Sequence, residues 1–275
     1  MCIVKILSAA VSVRRLSNLL NLQENHSLFE EEATIDRTEF LPSNVIELRS
    51  VLLQLPADKP LGLGAMGCIT APVSCTIPLG RLVMVHGGNE ASRLSFMALI
   101  AKVLQPTDGE IICPRHAWAV MMPPVPVDMP AGLTVQECIA LAGAPAIIAH
   151  SLAQLLDLKA DRRVETLAPG DLQLLAIARA MLRDPEVLVL IRPFAYIASK
   201  HRTRLAELLR AWQTGGAERI VECLLKQQGK CLNVLEERVQ PRARTLILAG
   251  PSIPGGKMPG DCSNDVKIIL DALIK

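Results

Sequence analysis

The sequence predicts an α/β domain with a mainly parallel core sheet. Three observations lead there. Short runs that are apolar on both faces, at residues 81–85, 187–191 and 244–249, recur between helical stretches. One of them runs straight into Gly87-Gly88 and then a helical run, a strand–glycine–helix order. Half of the 275 residues are apolar and a fifth are charged, a composition that builds a buried core rather than a disordered chain.

Each element follows from its local pattern. Residues 1–24 keep helical spacing through Val13, Leu16, Leu19 and Leu20 beside Arg14 and Arg15, which predicts an amphipathic helix rather than a secretory leader. Residues 25–43 form an acidic connector with Glu30, Glu31, Glu32, Asp36 and Glu39. Period-two alternation over 45–51 predicts a half-buried strand, and a second strand is expected over 67–77, turned at Pro78-Leu79-Gly80. After strand 81–85 a helix is expected over 94–104, ended by Pro106-Thr107-Asp108-Gly109, with a strand beginning at Glu110. The proline-dense passage 123–130 must be loop. Residues 133–181 read as mainly helical, 187–191 as a buried strand, 202–212 as a helix, and 244–249 and 266–270 as strands. About thirty residues, 214–243, receive no assignment.

Composition excludes several functions. A net charge of +2 makes no field suited to nucleic acid or an anionic membrane, and 3% aromatics leaves no base-stacking platform. No run reaches the roughly eighteen apolar residues of a membrane span. The eight cysteines contain no C-x-x-C pair and read as reduced, mostly buried and inert thiols. The five histidines are scattered without metal spacing, so no metal site is expected, and His150, Ser151 and Asp157 are too local to form a triad.

The working phosphate loop, G-x-x-x-x-G-K-[ST], cradles phosphates on backbone N–H groups, with a lysine on the phosphates and a hydroxyl on magnesium. Here the corresponding run is Gly87-Gly88-Asn89-Glu90-Ala91-Ser92-Arg93-Leu94-Ser95. Gly87 fits the first glycine. Ser92 stands in the second glycine's place, with a β-carbon where φ > 0 is expected. Arg93 replaces the lysine with a larger planar cation. Leu94 replaces the hydroxyl, and Ser95 comes one residue late. A Glu90 carboxylate ~4 Å from a phosphate costs roughly 1 to 4 kcal/mol. On this loop alone, nucleotide binding and a plain strand–turn–helix with Arg93 as a surface cation both remain open.

Taken together, the segments from 44 to 271 resemble the nucleotide-binding domain of an ABC transporter. The match is carried by Leu104-Gln105-Pro106-Thr107-Asp108-Gly109-Glu110-Ile111, by Leu133-Thr134-Val135-Gln136-Glu137, and most specifically by 173–185 leading into strand 187–191. The resemblance implies a P-loop NTPase-like ABC ATPase domain with an antiparallel β edge and a helical subdomain over about 125–184. It implies a domain over 44–275, preceded by an N-terminal helix and acidic linker over 1–43. That helix is similar to the linker of fused exporters of the multidrug-resistance-associated group, which would make the chain a separated piece of a larger architecture.

Measured against this family, the reactive positions are altered. Leu55 stands where an adenine-stacking aromatic is usual. Met121-Met122-Pro123-Pro124 replaces the γ-phosphate-sensing glutamine. The signature becomes Leu167-Ala168-Pro169-Gly170-Asp171, keeping only Gly170. Ile191 and Arg192 occupy the acidic pair that holds magnesium and polarises water. Ala198 replaces the D-loop aspartate, and Gly250-Pro251 stands in place of the switch histidine. No catalytic residue remains, because an aliphatic and a cation can neither hold magnesium nor activate water.

The expectation is a catalytically inactive ABC-type domain with a structural or regulatory part in a transport assembly. Any ATP would be held weakly and magnesium not at all. The expected partners are a second ABC ATPase domain and membrane-spanning transporter domains, at the cytoplasmic face of a membrane, and no nucleic acid. The alternatives are a soluble interaction scaffold without a transport role and an ATP-hydrolysing transporter subunit.

Overall fold

The computed structural model describes residues 44–54, 67–114, 117–123, 129–130, 132–227, 244–250 and 266–269. The N-terminal helix and acidic linker expected over 1–43, Leu55, Pro124, Pro251 and residues 228–243 lie outside the described residues.

Five strands form the parallel core: β3 (Leu82–His86), β5 (Ala119–Met122), β6 (Val187–Ile191), β7 (Thr245–Ala249) and β8 (Val266–Ile269). Their order is β5-β6-β7-β3-β8, and every neighbouring pair is parallel. A separate antiparallel sheet has the order β2-β1-β4, from β1 (Val45–Leu53), β2 (Ile69–Pro78) and β4 (Asp108–Ile112). The helices are α1 (Glu90–Ile100), α2 (Val135–Ala140), α3 (Ala146–Leu155), α4 (Pro169–Leu182) and α5 (Ser199–Gln227).

Alternation along the core strands sorts their side chains onto two buried faces. Leu188 and Leu190 join Leu246 and Leu248 in a cluster with the apolar faces of α2 to α5. Val187, Val189 and Ile191 join Val83, Val85 and Ile247 on the opposite face, against α1 and the antiparallel sheet. Burial on both sides is why these strands read as continuous apolar runs.

β1 departs from the strict alternation its sequence suggests. Ile46, Leu48, Val51 and Leu53 are all buried in one cluster, so the inward period skips a residue after Leu48. The register slips there and Ser50 takes φ 48°. Its N–H is donated to Ser74 Oγ at 2.8 Å. Such a bulge needs room on the partner strand. Gly109 of β4 supplies it: a β-carbon there would lie 2.4 Å from Ser50 O.

Two helices differ from expectation. α1 begins at Glu90 rather than Leu94, because Asn89 caps it through Oδ1, which accepts from the Ser92 N–H. It ends at Ile100, where Lys102 turns left-handed at φ 57° and the Val103 and Leu104 N–H groups return to Ala98 O. α5 reaches far beyond residue 212, broken at Gly215 and Gly216. Asp184 bridges the break by accepting from the Ala217 N–H at 2.9 Å, and the Arg244 N–H satisfies Gln213 O at 2.7 Å. Residues 214–227 of the unassigned stretch are thus its continuation.

The thiols are less buried than expected: of the five described, only Cys138 is buried. Burial nonetheless pushes Cys75 up to about 11 and raises Cys113 and Cys138, which fits inert thiols.

Trp212 ties α5 to α4. It is fully buried, and its Nε1–H is donated to Met181 O at 3.0 Å, satisfying a carbonyl at the end of α4. Trp212→Phe should destabilise the domain by about 1–3 kcal/mol, since it loses this hydrogen bond and leaves a smaller ring in a dry site, although Met181 O keeps the Asp184 N–H. Urea unfolding followed by circular dichroism measures this.

Candidate functional site

Ligand sites in open α/β sheets gather at the carboxyl ends of the parallel strands. In this sheet Val85 of β3 and Ile191 of β6 are both paired with Ala249 of β7. The residues immediately beyond them, at the Gly87 loop, Arg192 and Gly250, therefore come to one edge. That is three of the positions singled out from the sequence.

The loop itself is rebuilt. Its left-handed residues are Gly87 (φ 78°) and Gly88 (φ 61°), and Ser92 lies within the first turns of α1 without a positive φ. The expectation that Ser92 occupies a left-handed site is therefore corrected, and the cause is the early Asn89 cap. With the helix started three residues before Arg93, backbone donors are spent internally. The Ser92 N–H goes to Asn89 Oδ1 at 2.7 Å and the Arg93 N–H to Asn89 O at 3.1 Å.

Arg93 is not an ordinary surface cation. It is half-buried, and its Nη1 donates to Gly87 O at 2.9 Å and Gly88 O at 2.8 Å, folding the guanidinium onto the loop. Leu94 is 8% exposed and packs into the core. Ser95 is buried, and its hydroxyl is taken up by Gly67: it donates to Gly67 O at 2.6 Å and accepts the Gly67 N–H at 3.1 Å. The fit is tight, because a β-carbon at Gly67 would meet Ala91 Cβ at 3.0 Å and Ser92 N at 3.1 Å, and the neighbours would have to give way.

At the end of β6, Ile191 is 4% exposed within the apolar face that packs on α1. Arg192 takes φ 49°, a left-handed state unfavourable for a residue with a β-carbon. Three hydrogen bonds hold it. Its N–H donates to Ala249 O at 2.6 Å, while its carbonyl accepts from Gln173 Nε2 and from the Ala195 N–H, each at 3.0 Å. This backbone aims the side chain at α1, where Nη1 meets Glu90 Oε1 at 2.8 Å. Gly250 (φ 154°) lies close behind, with room for a β-carbon only 3.3 Å from Arg192 Cα.

The donor set does not fit magnesium. The two positions that would bear its oxygen ligands hold buried Leu94 and Ile191, and the Ser95 hydroxyl is committed to Gly67. No group of three or more metal-ligating side chains occurs among the described residues.

The signature-like run opens α4. Leu167 is buried, Ala168 is the N-cap and gives no side-chain hydrogen bond, and Pro169 starts the helix, with Asp171 in its first turn. Gly170 has a packing role: a β-carbon would lie 2.3 Å from Tyr196 O. Met121 and Met122 are half-buried at the end of β5. His150, Ser151 and Asp157 each have partners of their own. Ser151 Oγ donates to Ile147 O, His150 pairs with Gln154, and Asp157 with Lys200. His201 is 7% exposed, and its Nδ1 has no hydrogen-bond partner among the described residues. The residues that sequence reasoning missed are Gly67 and Gln173; the glutamine's only sequence signal is a polar side chain on the inward face of α4.

The order of core strands, the antiparallel sheet and the helical block together define a known fold. The fold is that of the ABC ATPase domains. No family model matches the sequence. Individual proteins do. The aliphatic sulfonates import ATP-binding protein SsuB 1 of Nocardia farcinica is 31% identical over 144 residues, covering 50% of this chain and 57% of that protein. The zinc import ATP-binding protein ZnuC of Paramagnetospirillum magneticum is 30% identical over 144 residues, covering 50% and 54%. The chain thus spans little more than half the length of these relatives. A solved structure described as an ABC-transporter ATP-binding protein from Pyrococcus furiosus covers 84% of this chain and 100% of its own, with TM-score 0.52 and 17% identity. At that identity the likeness speaks for the fold. No described helix is long and apolar enough to cross a membrane.

Two substitutions separate burial from backbone strain in this domain. Ile191→Asp should destabilise it by roughly 3 kcal/mol or more, through lost apolar burial and a desolvated carboxyl. That deficit should shrink at acid pH, because burial raises the new carboxyl's pKa and the neutral acid is cheaper to bury. Arg192→Gly should change stability by only about 1 kcal/mol or less, since relief at φ 49° offsets the lost ion pair. Thermal melts at two pH values check both.

Proposed function

We propose that this chain is a catalytically inactive ABC-type ATP-binding domain, serving as a structural or regulatory subunit of a transport assembly. The observation that carries the reading is the Glu90–Arg192 ion pair at 2.8 Å, between the phosphate-loop helix and the end of β6. In a working site that gap holds magnesium, the γ-phosphate and an acidic residue that polarises water. Here it holds a carboxylate and a guanidinium that neutralise each other. The Arg93 guanidinium on the Gly87 and Gly88 carbonyls supports the same reading, since it turns Nη1 of the loop's cation back onto the loop itself.

Without magnesium or a polarising acid, little remains to stabilise developing phosphoryl charge. Loss of the signature hydroxyl at Ala168 and of an N–H at Pro169 weakens contact with nucleotide on an opposing subunit in the same way. The names of the similar proteins, ATP-binding proteins of sulfonate and zinc import, support a transport setting. In that setting the domain pairs with a second ABC ATPase domain and docks on membrane-spanning partners at the cytoplasmic face. Leu141 and Ile147, exposed beside α2 and α3 in the helical subdomain, are the apolar side chains available for such docking.

The purified chain should release no phosphate from ATP above a heat-killed control, and ATP affinity should be weak and the same with magnesium or with a chelator. Phosphate release abolished by Arg93→Ala, or binding strengthened several-fold by magnesium in calorimetry, would overturn the reading. Restoring the acids in Ile191→Asp/Arg192→Glu should lower the melting temperature and leave hydrolysis absent, because the loop, signature and switch positions stay altered. Co-purification with membrane proteins separates a transport subunit from a free-standing scaffold.

A further inference from the structure

We infer that Glu90 is a built-in latch on an arginine-lined anion site, and that its release opens a magnesium-independent site for a polyphosphate anion. This rests on the reading above, that the site no longer works with a metal. Four features converge. Glu90 and Arg93 are three residues apart on α1, so both side chains leave the same face of its first turn. Arg93 Nη1 is anchored on Gly87 O and Gly88 O, which holds one guanidinium against the loop. Arg192 comes from the end of β6, held in a left-handed backbone by Ala249 O, Gln173 Nε2 and the Ala195 N–H. Its Nη1 is already bound to an anionic oxygen, Glu90 Oε1, at 2.8 Å.

A left-handed, non-glycine residue pinned from three sides is strain that the surroundings must maintain. What it achieves here is to present a guanidinium to an acceptor at the carboxyl edge of the sheet. A carboxylate and a phosphate offer a guanidinium the same kind of charge-assisted acceptor, and the phosphate carries more charge. Glu90 thus stands in for the anion. Two guanidiniums supply the positive charge that magnesium would bring in a working site, so the site's occupant needs no metal. The latch is weak as well as specific, because its partners are 36% and 59% exposed and such pairs contribute about 1 kcal/mol at most. A competing polyanion therefore displaces it at modest cost.

Calorimetric titration of the full chain with inorganic pyrophosphate, in the presence of a chelator, tests this on a double-mutant cycle. Glu90→Ala should bind up to about fivefold more tightly than the unaltered chain. Arg192→Ala should bind more weakly, and in that background Glu90→Ala should give no gain. A gain of equal size with and without Arg192 would mean simple charge repulsion and would overturn the latch, as would no gain at all. Should Glu90→Ala melt early, Glu90→Gln keeps the α1 surface and is expected to show a smaller gain of the same sign. The outcome is separable from that of the proposed function. Hydrolysis by the unaltered chain would refute inactivity and leave the cycle's result standing, whereas a flat cycle would refute the latch and leave inactivity untouched.

Discussion

Everything at the candidate site depends on how closely three backbones approach at the end of β6. The Arg192 N–H reaches Ala249 O at 2.6 Å, its carbonyl takes Gln173 Nε2, and Gln173 Oε1 in turn accepts the Tyr196 N–H at 3.4 Å. Gln173 is buried, so both ends of its amide must be satisfied, and this crossing satisfies them. The approach is possible because glycines stand on both flanks. Gly170 leaves space for Tyr196 O, and Gly250 leaves space for the Arg192 backbone. β6, β7 and α4 are locked to one another at this point. The Arg192 side chain then adds α1 to the lock through Glu90.

The retained and the altered positions make sense on that basis. Gly170, in the run proposed to be signature-like, is needed in this chain for packing. The altered residues do not leave holes. Leu94 and Ile191 extend the apolar face between β6 and α1, Ser95 holds Gly67 against the helix, and Arg93 satisfies two loop carbonyls. A site that had merely lost its metal ligands would bury unpaired polar groups, which costs about 1–3 kcal/mol each. Here the replaced groups are either apolar or paired. On the proposed reading, polar chemistry is exchanged for packing and for one solvent-facing ion pair.

Two charged groups elsewhere show the same economy. Arg244 is held by Asp184 and Glu186 between the end of α4 and the start of β7, and their hydrogen bonds raise its pKa although burial alone would lower it. Asp184 takes a left-handed backbone at φ 53° and serves both Arg244 and the Ala217 N–H. The break in α5 at Gly216 follows from this, for a β-carbon there would lie 2.5 Å from Asp184 Oδ1. Local sequence gives the two glycines; the tertiary carboxylate gives them a reason.

The fold class, the doubly buried strands and the glycine turn between β3 and α1 were legible in the sequence, because burial on two faces and a strand–glycine–helix order leave a local pattern. That Ile191 and Arg192 offer no carboxylate was equally legible, since their chemistry is the same whatever surrounds them. Other features had no local signal. Asn89 ended the loop early by capping α1, and that moved the left-handed positions onto Gly87 and Gly88. The bulge at Ser50 overrode strict alternation because β4 offered a glycine opposite it. The partners of Arg192 and Ser95 lie 102 and 28 residues away, at Glu90 and Gly67. Composition and periodicity report what each segment buries; which charge meets which carboxylate is settled only when distant segments pack, because a hydrogen bond acts over about 3 Å and the chain that separates its partners does not.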